Sequence, residues 1–272
     1  MMAFINALRR RMMVKPSSAI SFSYTGQYKI QGNVLRLLSS GVLTLSQDAI
    51  CDVFLVGGGG GGALPRTYSG PSSFYYYGGG GGGAGYTTTK LGVLLAKGTH
   101  SVSIGEGGAA STAGGKTSLD NYSAFGGNPG YRATNANDST AQEGGDGGSG
   151  GGAGGYSRSG QNTKAGGAGG TDGQKGGNSA IKVGTASITV SGGTGQGTTT
   201  RAFGEAGGEL FATGGKGGHG NNSNSSTEPK TKTANTGDGG DGGRANVSVA
   251  PTAGASGIAL IRFADGTELK AA

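Results

Sequence analysis

Glycine restricts what this chain can fold into more than any other feature of the sequence. It supplies 65 of the 272 residues, about three times the usual share of roughly 7%. Large aliphatic residues are scarce, so one large hydrophobic core is excluded. Either most of the chain is disordered, or backbone hydrogen bonds between segments without side chains hold it together. The glycine runs cover residues 57–62, 78–85, 144–155, 166–177, 214–220 and 237–243.

Several of these runs place their non-glycine residues three positions apart. Asp238, Asp241 and Arg244 are one example. Three residues per turn is the period of the polyproline II helix, which has no internal hydrogen bonds. In polyglycine the other two edges carry only hydrogens, so neighbouring helices can approach and pair their N–H and C=O groups. Collagen shares the period but needs strict Gly-X-Y and abundant proline. Six prolines and interruptions such as Ala153 and Asp172 exclude it.

Strand patterns flank and interrupt the glycine-rich middle. Apolar runs at 50–56 and 258–263 are typical of buried strands. We therefore predict a mainly β fold with little helix. In this prediction, sandwich-like strands interleave with a bundle of polyglycine II helices. We do not expect the glycine-rich middle to be disordered, because a disordered tail would not end in a strand that can pair with the beginning of the chain. The strands are expected at about 18–56, 86–104, 186–190 and 257–263.

Four zones follow from these patterns. Residues 1–16 carry Met1, Ile5, Leu8 and Met12 at helical spacing and end at Pro16. This segment is either a short helix that covers its own domain or a docking helix for a larger assembly. A β-strand attachment region (17–56), a glycine-rich bundle with loops and strands (57–255) and a closing strand with a tail (256–272) complete the predicted organisation.

The charge distribution argues against nucleic acid as a partner. The net charge is +7, but residues 1–36 hold six basic and no acidic residues, so the remainder carries 16 basic against 15 acidic. A nucleic-acid-binding body needs a positive patch or stripe. No run approaches the ~20 apolar residues of a membrane span. At the start of the chain, arginines follow a short apolar segment, the reverse of the order in a signal peptide.

The sequence offers no convincing catalytic, cofactor or metal site. His100 and His219 are the only histidines, and neither has ligand spacing to the other or to the single Cys51. Carboxylates are few and lie in turns or glycine runs, which gives no paired acid–base arrangement. At 115–117, Gly-Lys-Thr lacks the earlier glycine that a phosphate-binding loop requires, because that position is Ala110. We expect neither an enzyme nor a cofactor.

Side-chain chemistry is concentrated in the loops between glycine runs. Tyr, Ser, Asn, Gly and Arg also dominate antibody paratopes, where aromatic rings supply contact area at low entropic cost. The alternative is that the aromatic residues only cap the ends of the bundle or pack on the sandwich, as half of them are expected to do. Phe125 and Phe203, each next to a glycine, are the expected caps. The candidate receptor-binding residues are Tyr68, Tyr75, Tyr76, Tyr77, Tyr131, Arg132, Tyr156, Arg158 and Arg201.

An ordered series of motifs resembles glycine-rich domains at the ends of phage and prophage tail fibres. A strand at 52–56 runs into the glycines of 57–62, and a second tract follows at 78–86. A "GGxTS" element lies at 114–118 and an "SGIxxIR" strand at 256–263. The fold also resembles the polyglycine II bundle of T-even fibre-tip adhesins and the glycine-rich domain of anaplastic lymphoma kinase. Unlike that receptor, this chain is not expected to carry a secretion signal, given the order of apolar and basic residues at 1–13.

The resemblance implies a virion protein, and a tail-fibre or tail-tip adhesin is the favoured reading. It would bind a bacterial surface glycan or outer-layer protein through its loops and other fibre proteins through residues 1–16. A homo-oligomer remains open. Its location would be the virion, and the extracellular space after release. The alternatives are a purely structural virion or filament subunit, a secreted matrix or receptor-like domain, and an enzyme.

Overall fold

The fold was determined as a computed structural model. It describes residues 19–69, 74–134, 142–155, 164–170, 173–179, 192–193, 199–220, 229–245 and 248–272. The docking helix predicted for 1–16 and the strand predicted for 186–190 lie outside these residues. Within them the protein is mainly β, as the sequence predicted, and the one helical element is the 3₁₀ turn Ala202–Gly204.

Two sheets form a sandwich. The six-stranded sheet has the order β11-β10-β9-β4-β1-β13, and the five-stranded sheet has the order β2-β3-β12-β5-β8. A separate hairpin pairs β6 with β7. The strands are β1 (Ile20–Tyr24), β2 (Tyr28–Gln31), β3 (Val34–Leu37), β4 (Gly41–Leu45), β5 (Ala49–Val56), β6 (Arg66–Ser69), β7 (Phe74–Tyr77), β8 (Thr87–Leu95), β9 (Gly98–Ser103), β10 (Thr117–Leu119), β11 (Tyr122–Ala124), β12 (Ile258–Phe263) and β13 (Leu269–Ala271).

Strands β5 and β12 are apolar along much of their length because both of their faces are covered. Alternate residues such as Val53 and Ile261 fill the core between the sheets. The opposite face contributes Phe54 and Leu260 to a second cluster, beneath a segment that includes Phe203. These two strands pair antiparallel in continuous register from one end of β12 to the other. The two apolar runs in the sequence are thus neighbouring strands.

Where the structure describes them, the glycine runs are ordered rods rather than coil. Rod 1 (57–63) continues directly from β5, and its N–H groups donate to a different neighbour at each of three successive positions. Gly57, Gly60 and Ala63 donate to carbonyls of rod 2 (78–86), while the intervening residues donate to two further segments. The carbonyls of rod 1 accept hydrogen bonds from three further segments. The six segments around rod 1 are 78–86, 112–115, 252–255, 108–111, 127–130 and 240–243.

Rod 2 repeats this three-fold pattern and continues into β8. Its N–H groups donate in turn to the segments 149–155, 237–243 and 125–131, and its carbonyls accept from rod 1, from 145–148 and from 215–218. Both central rods therefore donate in three directions and accept in three others, as a polyglycine II lattice requires. This confirms the predicted bundle.

Close approach, and not a special backbone conformation, explains why these positions are glycine. A Cβ built on Gly82 would lie 2.6 Å from the carbonyl carbon of Gly60, whereas ordinary contact begins near 3.4 Å. One built on Gly81 would lie equally close to the carbonyl carbon of Gly215. None of the glycines in the two central rods has a positive φ. At each of these positions, the backbone of the next rod occupies the space that a side chain would need.

Aspartates three residues apart complete the hydrogen bonding along one edge of the bundle. Asp238 Oδ1 accepts from the N–H of Thr213 at 2.8 Å, and Asp241 Oδ1 accepts from the N–H of Lys216 at 2.8 Å. The carboxylates thus replace carbonyls that another rod would provide. Buried Asp241 also binds the Lys232 ammonium at 2.6 Å. The three-residue spacing in the sequence reflects this role.

The two ends of the bundle differ, because only one of them adjoins the sandwich. We call the end of the bundle next to the sandwich proximal and the opposite end distal. Rod 1 leaves β5 at the proximal end, and Ala63 and Gly78 mark the distal end, where Gly78 donates to Gly155. Strand β1 begins at Ile20, near the end of the sandwich away from the bundle, because Phe22 pairs with Leu45 and Leu45 with Gly98.

The lattice predicts that even one added methyl group is damaging. Gly82→Ala should lower the free energy of unfolding by about 3 kcal/mol or more, or yield insoluble protein, because two backbones must separate. Gly207→Ala is the matched control, since nothing lies within 4 Å of its added Cβ. It should change stability by no more than about 0.5 kcal/mol. Urea unfolding followed by circular dichroism measures both, and equal effects would contradict the lattice.

The two aspartates should differ in their contribution. Asp241→Ala removes a buried carboxylate that accepts from two backbone N–H groups and one ammonium, so we expect a loss of about 3 kcal/mol. Asp238→Ala removes one side-chain hydrogen bond at a half-buried position and should cost about 1 kcal/mol. The same unfolding experiment tests the order, and a larger loss for Asp238→Ala would refute this account.

Candidate recognition surface

Three separate parts of the chain meet at the distal end of the bundle. The β6–β7 hairpin joins rod 1 to rod 2. The segment 125–131 reaches the same end, where Gly80 donates to the carbonyl of Tyr131 at 3.1 Å. The turn that follows rod segment 237–243 is closed by a bridge between Arg244 and Val249. Each part is anchored by rod hydrogen bonds, so the lattice fixes their relative positions.

The hairpin combines packed and accessible aromatic residues. Its register pairs Arg66 with Tyr77 and Tyr68 with Tyr75. The rings of Tyr68 and Tyr77 meet edge to face with centroids 5.5 Å apart, and Tyr77 is only 4% exposed. Tyr76 is half-buried. Tyr77 is therefore a support for the hairpin, which matches the alternative that some of the predicted residues only pack.

Arg66 is held in place by an aromatic ring. Its guanidinium carbon lies 4.8 Å from the centroid of Tyr68, within the range of a cation–π interaction. The Tyr68 hydroxyl donates to the carbonyl of Ala133 at 3.4 Å, a weak hydrogen bond that links the hairpin to the segment beside it. The hairpin and residues 131–133 thus form one connected surface.

Tyr131 and Arg132 are the most accessible of the predicted residues that the structure describes. Tyr131 is 48% exposed and Arg132 is exposed as well. Their backbone is nevertheless fixed, because Tyr131 donates its N–H to Glu143 at 2.9 Å while its carbonyl accepts from rod 2. Exposed side chains on a hydrogen-bonded backbone suit recognition, since little order is lost on binding.

An open groove of about 510 Å³ lies between these segments. Its two charged lining residues among those described are Arg66 and Arg132. The complete lining is Leu64, Pro65, Arg66, Thr67, Arg132, Ala245, Ser248, Val249 and Ala250. The sequence indicated the hairpin loop and Arg132. It gave no sign of Ala245 or of residues 248–250, which lie more than 100 positions away and are small or apolar.

Arg201 is not part of this surface. It belongs to the segment that covers the outer face of the five-stranded sheet, where its guanidinium donates to the carbonyl of Gly208 at 3.0 Å. Its neighbour Phe203 is buried against Phe54 of that sheet, so it packs on the sandwich, where the sequence predicted a cap for the bundle. Phe125, however, is 67% exposed, so the prediction that it caps the bundle is wrong.

Two further predicted residues, Tyr156 and Arg158, lie outside the described residues. The structure therefore brings together Tyr68, Tyr76, Tyr77, Tyr131 and Arg132, adds Arg66, and separates Arg201 from them. For Tyr75 the structure describes only its position in strand β7, opposite Tyr68.

The polar residues considered for catalysis have structural partners. His100 lies within 2.7 Å of an Asp120 oxygen and 2.8 Å of the carbonyl of Ala96. Burial, with a smaller contribution from the Asp52 carboxylate, raises the pKa of the Cys51 thiol to about 12, so it is not a nucleophile near neutral pH. Within the described part of the chain, no group of three or more His, Cys, Asp or Glu could hold a metal.

None of the helical structure that the described residues contain could cross a lipid bilayer. Comparison with curated proteins gives no significant match. A family model described as a glycine-rich domain matches residues 39–264, from just before β4 to just after β12. The match covers the two central rods, the hairpin and the groove. The chain is thus a member of the glycine-rich domain family.

Proposed function

We propose that this protein is a tail-fibre or tail-tip adhesin of a virion, which binds a bacterial surface receptor through the loops at the distal end of its bundle. One observation carries the proposal. The rods place the β6–β7 hairpin, Tyr131 with Arg132, and the turn after residue 243 at one end of a rigid lattice, and β1 begins near the far end of the sandwich.

The lattice gives the loops what a receptor-binding surface needs. Loops that are fixed before binding lose less conformational entropy when they meet a receptor. Here the fixation comes from backbone hydrogen bonds within the bundle, because the single Cys51 is a free thiol. The exposed side chains of Tyr131 and Arg132 provide an aromatic face and a planar donor group, the chemistry that dominates binding hot spots.

The resemblance of the motif series to tail-fibre ends supplies the biological setting of the proposal. A bacterial glycan or outer-layer protein is the proposed receptor, and other fibre proteins are the proposed partners of residues 1–16. The first described strand begins far from the distal surface. An attachment through residues before it would therefore leave that surface accessible.

The proposal predicts that exposed distal side chains control binding without contributing to the fold. Tyr131→Ala/Arg132→Ala should weaken attachment to intact cells at least about tenfold and leave the melting temperature unchanged. Fluorescently labelled protein is incubated with a panel of Gram-negative and Gram-positive strains, and cell-bound fluorescence is measured as a function of protein concentration.

The matched control is Phe125→Ala/Lys116→Ala, which removes one exposed aromatic residue and one exposed cation at the proximal end. This variant should bind cells like the unmodified protein. Equal binding by the distal and control variants, or no binding of the unmodified protein to any strain, would contradict the adhesin. It would favour a structural virion or filament subunit instead.

A further inference from the structure

The distal groove concentrates positive charge in a largely uncharged setting. Among its described lining residues, Arg66 and Arg132 carry charge, and both are cationic. They come from different segments, one from the hairpin and one from the end of a rod. The remaining lining residues are small or apolar, among them Leu64, Pro65 and Val249.

These two guanidinium groups differ from arginines that serve the fold. Arg262 pairs with Asp52 at 2.7 Å and with Glu205 at 3.0 Å, and Arg36 pairs with Glu209. In the described part of the chain, neither groove arginine forms an ion pair with a carboxylate. Among the described residues, the groove therefore presents cationic groups without a carboxylate partner.

Arg66 is also oriented before any ligand arrives. Its guanidinium carbon lies over the Tyr68 ring, 4.8 Å from the ring centroid. This contact is with the ring face and not with a hydrogen-bond acceptor atom, so it does not use up the five N–H donors of the guanidinium. A fixed planar fork matches the two oxygens of a carboxylate or the oxygens of a phosphate. Because the Tyr68 contact already limits the rotamers of Arg66, an oxyanion can bind with less loss of side-chain entropy.

We propose that this groove binds an acidic carbohydrate, with Arg66 and Arg132 receiving its carboxylate or phosphate group. The apolar lining offers C–H surface to the faces of sugar rings. The volume of about 510 Å³ lies within the range of small-ligand sites. Described lining residues include no aromatic ring, which argues against stacked nucleic-acid bases as the ligand.

The inference rests on the proposed function, since it names the receptor chemistry of the same distal surface. Isothermal titration calorimetry of the full chain tests it with trigalacturonate, glucose 6-phosphate and neutral maltotriose. We expect one of the acidic sugars to bind with a Kd below about 1 mM, maltotriose to bind more weakly, and the affinity to fall as salt is added. The first two probes distinguish a carboxylate from a phosphate.

The decisive variant is Arg66→Gln/Arg132→Gln, which should weaken binding of that sugar at least about 30-fold. Its control is Lys29→Gln/Lys90→Gln, which removes the same charge from exposed positions on the sandwich and should bind like the unmodified protein. Retained affinity in the arginine variant, equal binding of maltotriose, or no binding of either acidic sugar would overturn the inference.

The cell-binding assay separates this inference from the proposed function. If the unmodified protein attaches to cells but binds no acidic sugar, the groove assignment fails and the adhesin stands. If it binds the sugar through both arginines but attaches to no strain, the groove assignment stands and the adhesin fails. Circular dichroism of each variant confirms that the fold is intact.

Discussion

The structure depends on hydrogen bonds between the backbones of neighbouring rods. In a β-sheet each strand pairs in two directions, whereas rods 1 and 2 each donate to three neighbouring segments and accept from three others, with the direction changing at every residue. Ordering a glycine costs more backbone entropy than ordering any other residue. That cost is offset only when nearly every N–H and C=O is paired away from water, because an unpaired buried group is itself expensive. The lattice must therefore be extensive to be stable.

The sandwich fixes the ends of the rods, which the lattice alone does not do. Rod 1 leaves β5 and rod 2 enters β8, and these strands are neighbours in one sheet. The large side chains at the interface of the two sheets form a conventional hydrophobic core, whose burial at roughly 25 cal/mol per Å² stabilises the strand positions. Once the strands are paired, the rods start at set distances from one another. Hydrophobic burial thus sets the register that glycine cannot encode.

The sequence predicts the elements that side chains specify, but not the arrangement that glycine backbones specify. Apolar runs predicted β5 and β12, and the three-residue spacing of Asp238 and Asp241 predicted the rod period, because side chains carry both signals. The arrangement of the rods could not be predicted, since a glycine donor bonds equally well to any carbonyl nearby. Exposed Phe125 shows the same limit: a glycine neighbour indicates a rod end but not the direction of the side chain. The groove was missed because Ala245 and residues 248–250 lack distinctive side chains.

Loop side chains at the distal surface can change without altering the scaffold, because the lattice is held by rod backbones. Rod positions tolerate only glycine or a few small residues because the next backbone occupies the space of a Cβ. Loop side chains such as Arg132 contribute no hydrogen bond to the lattice in the described structure, so their replacement does not disturb the register below them. Tyr77 is the exception, since it is buried beneath the hairpin. The bundle therefore restricts the positions of the loops but leaves their chemistry free, and different binding surfaces can be carried by one scaffold.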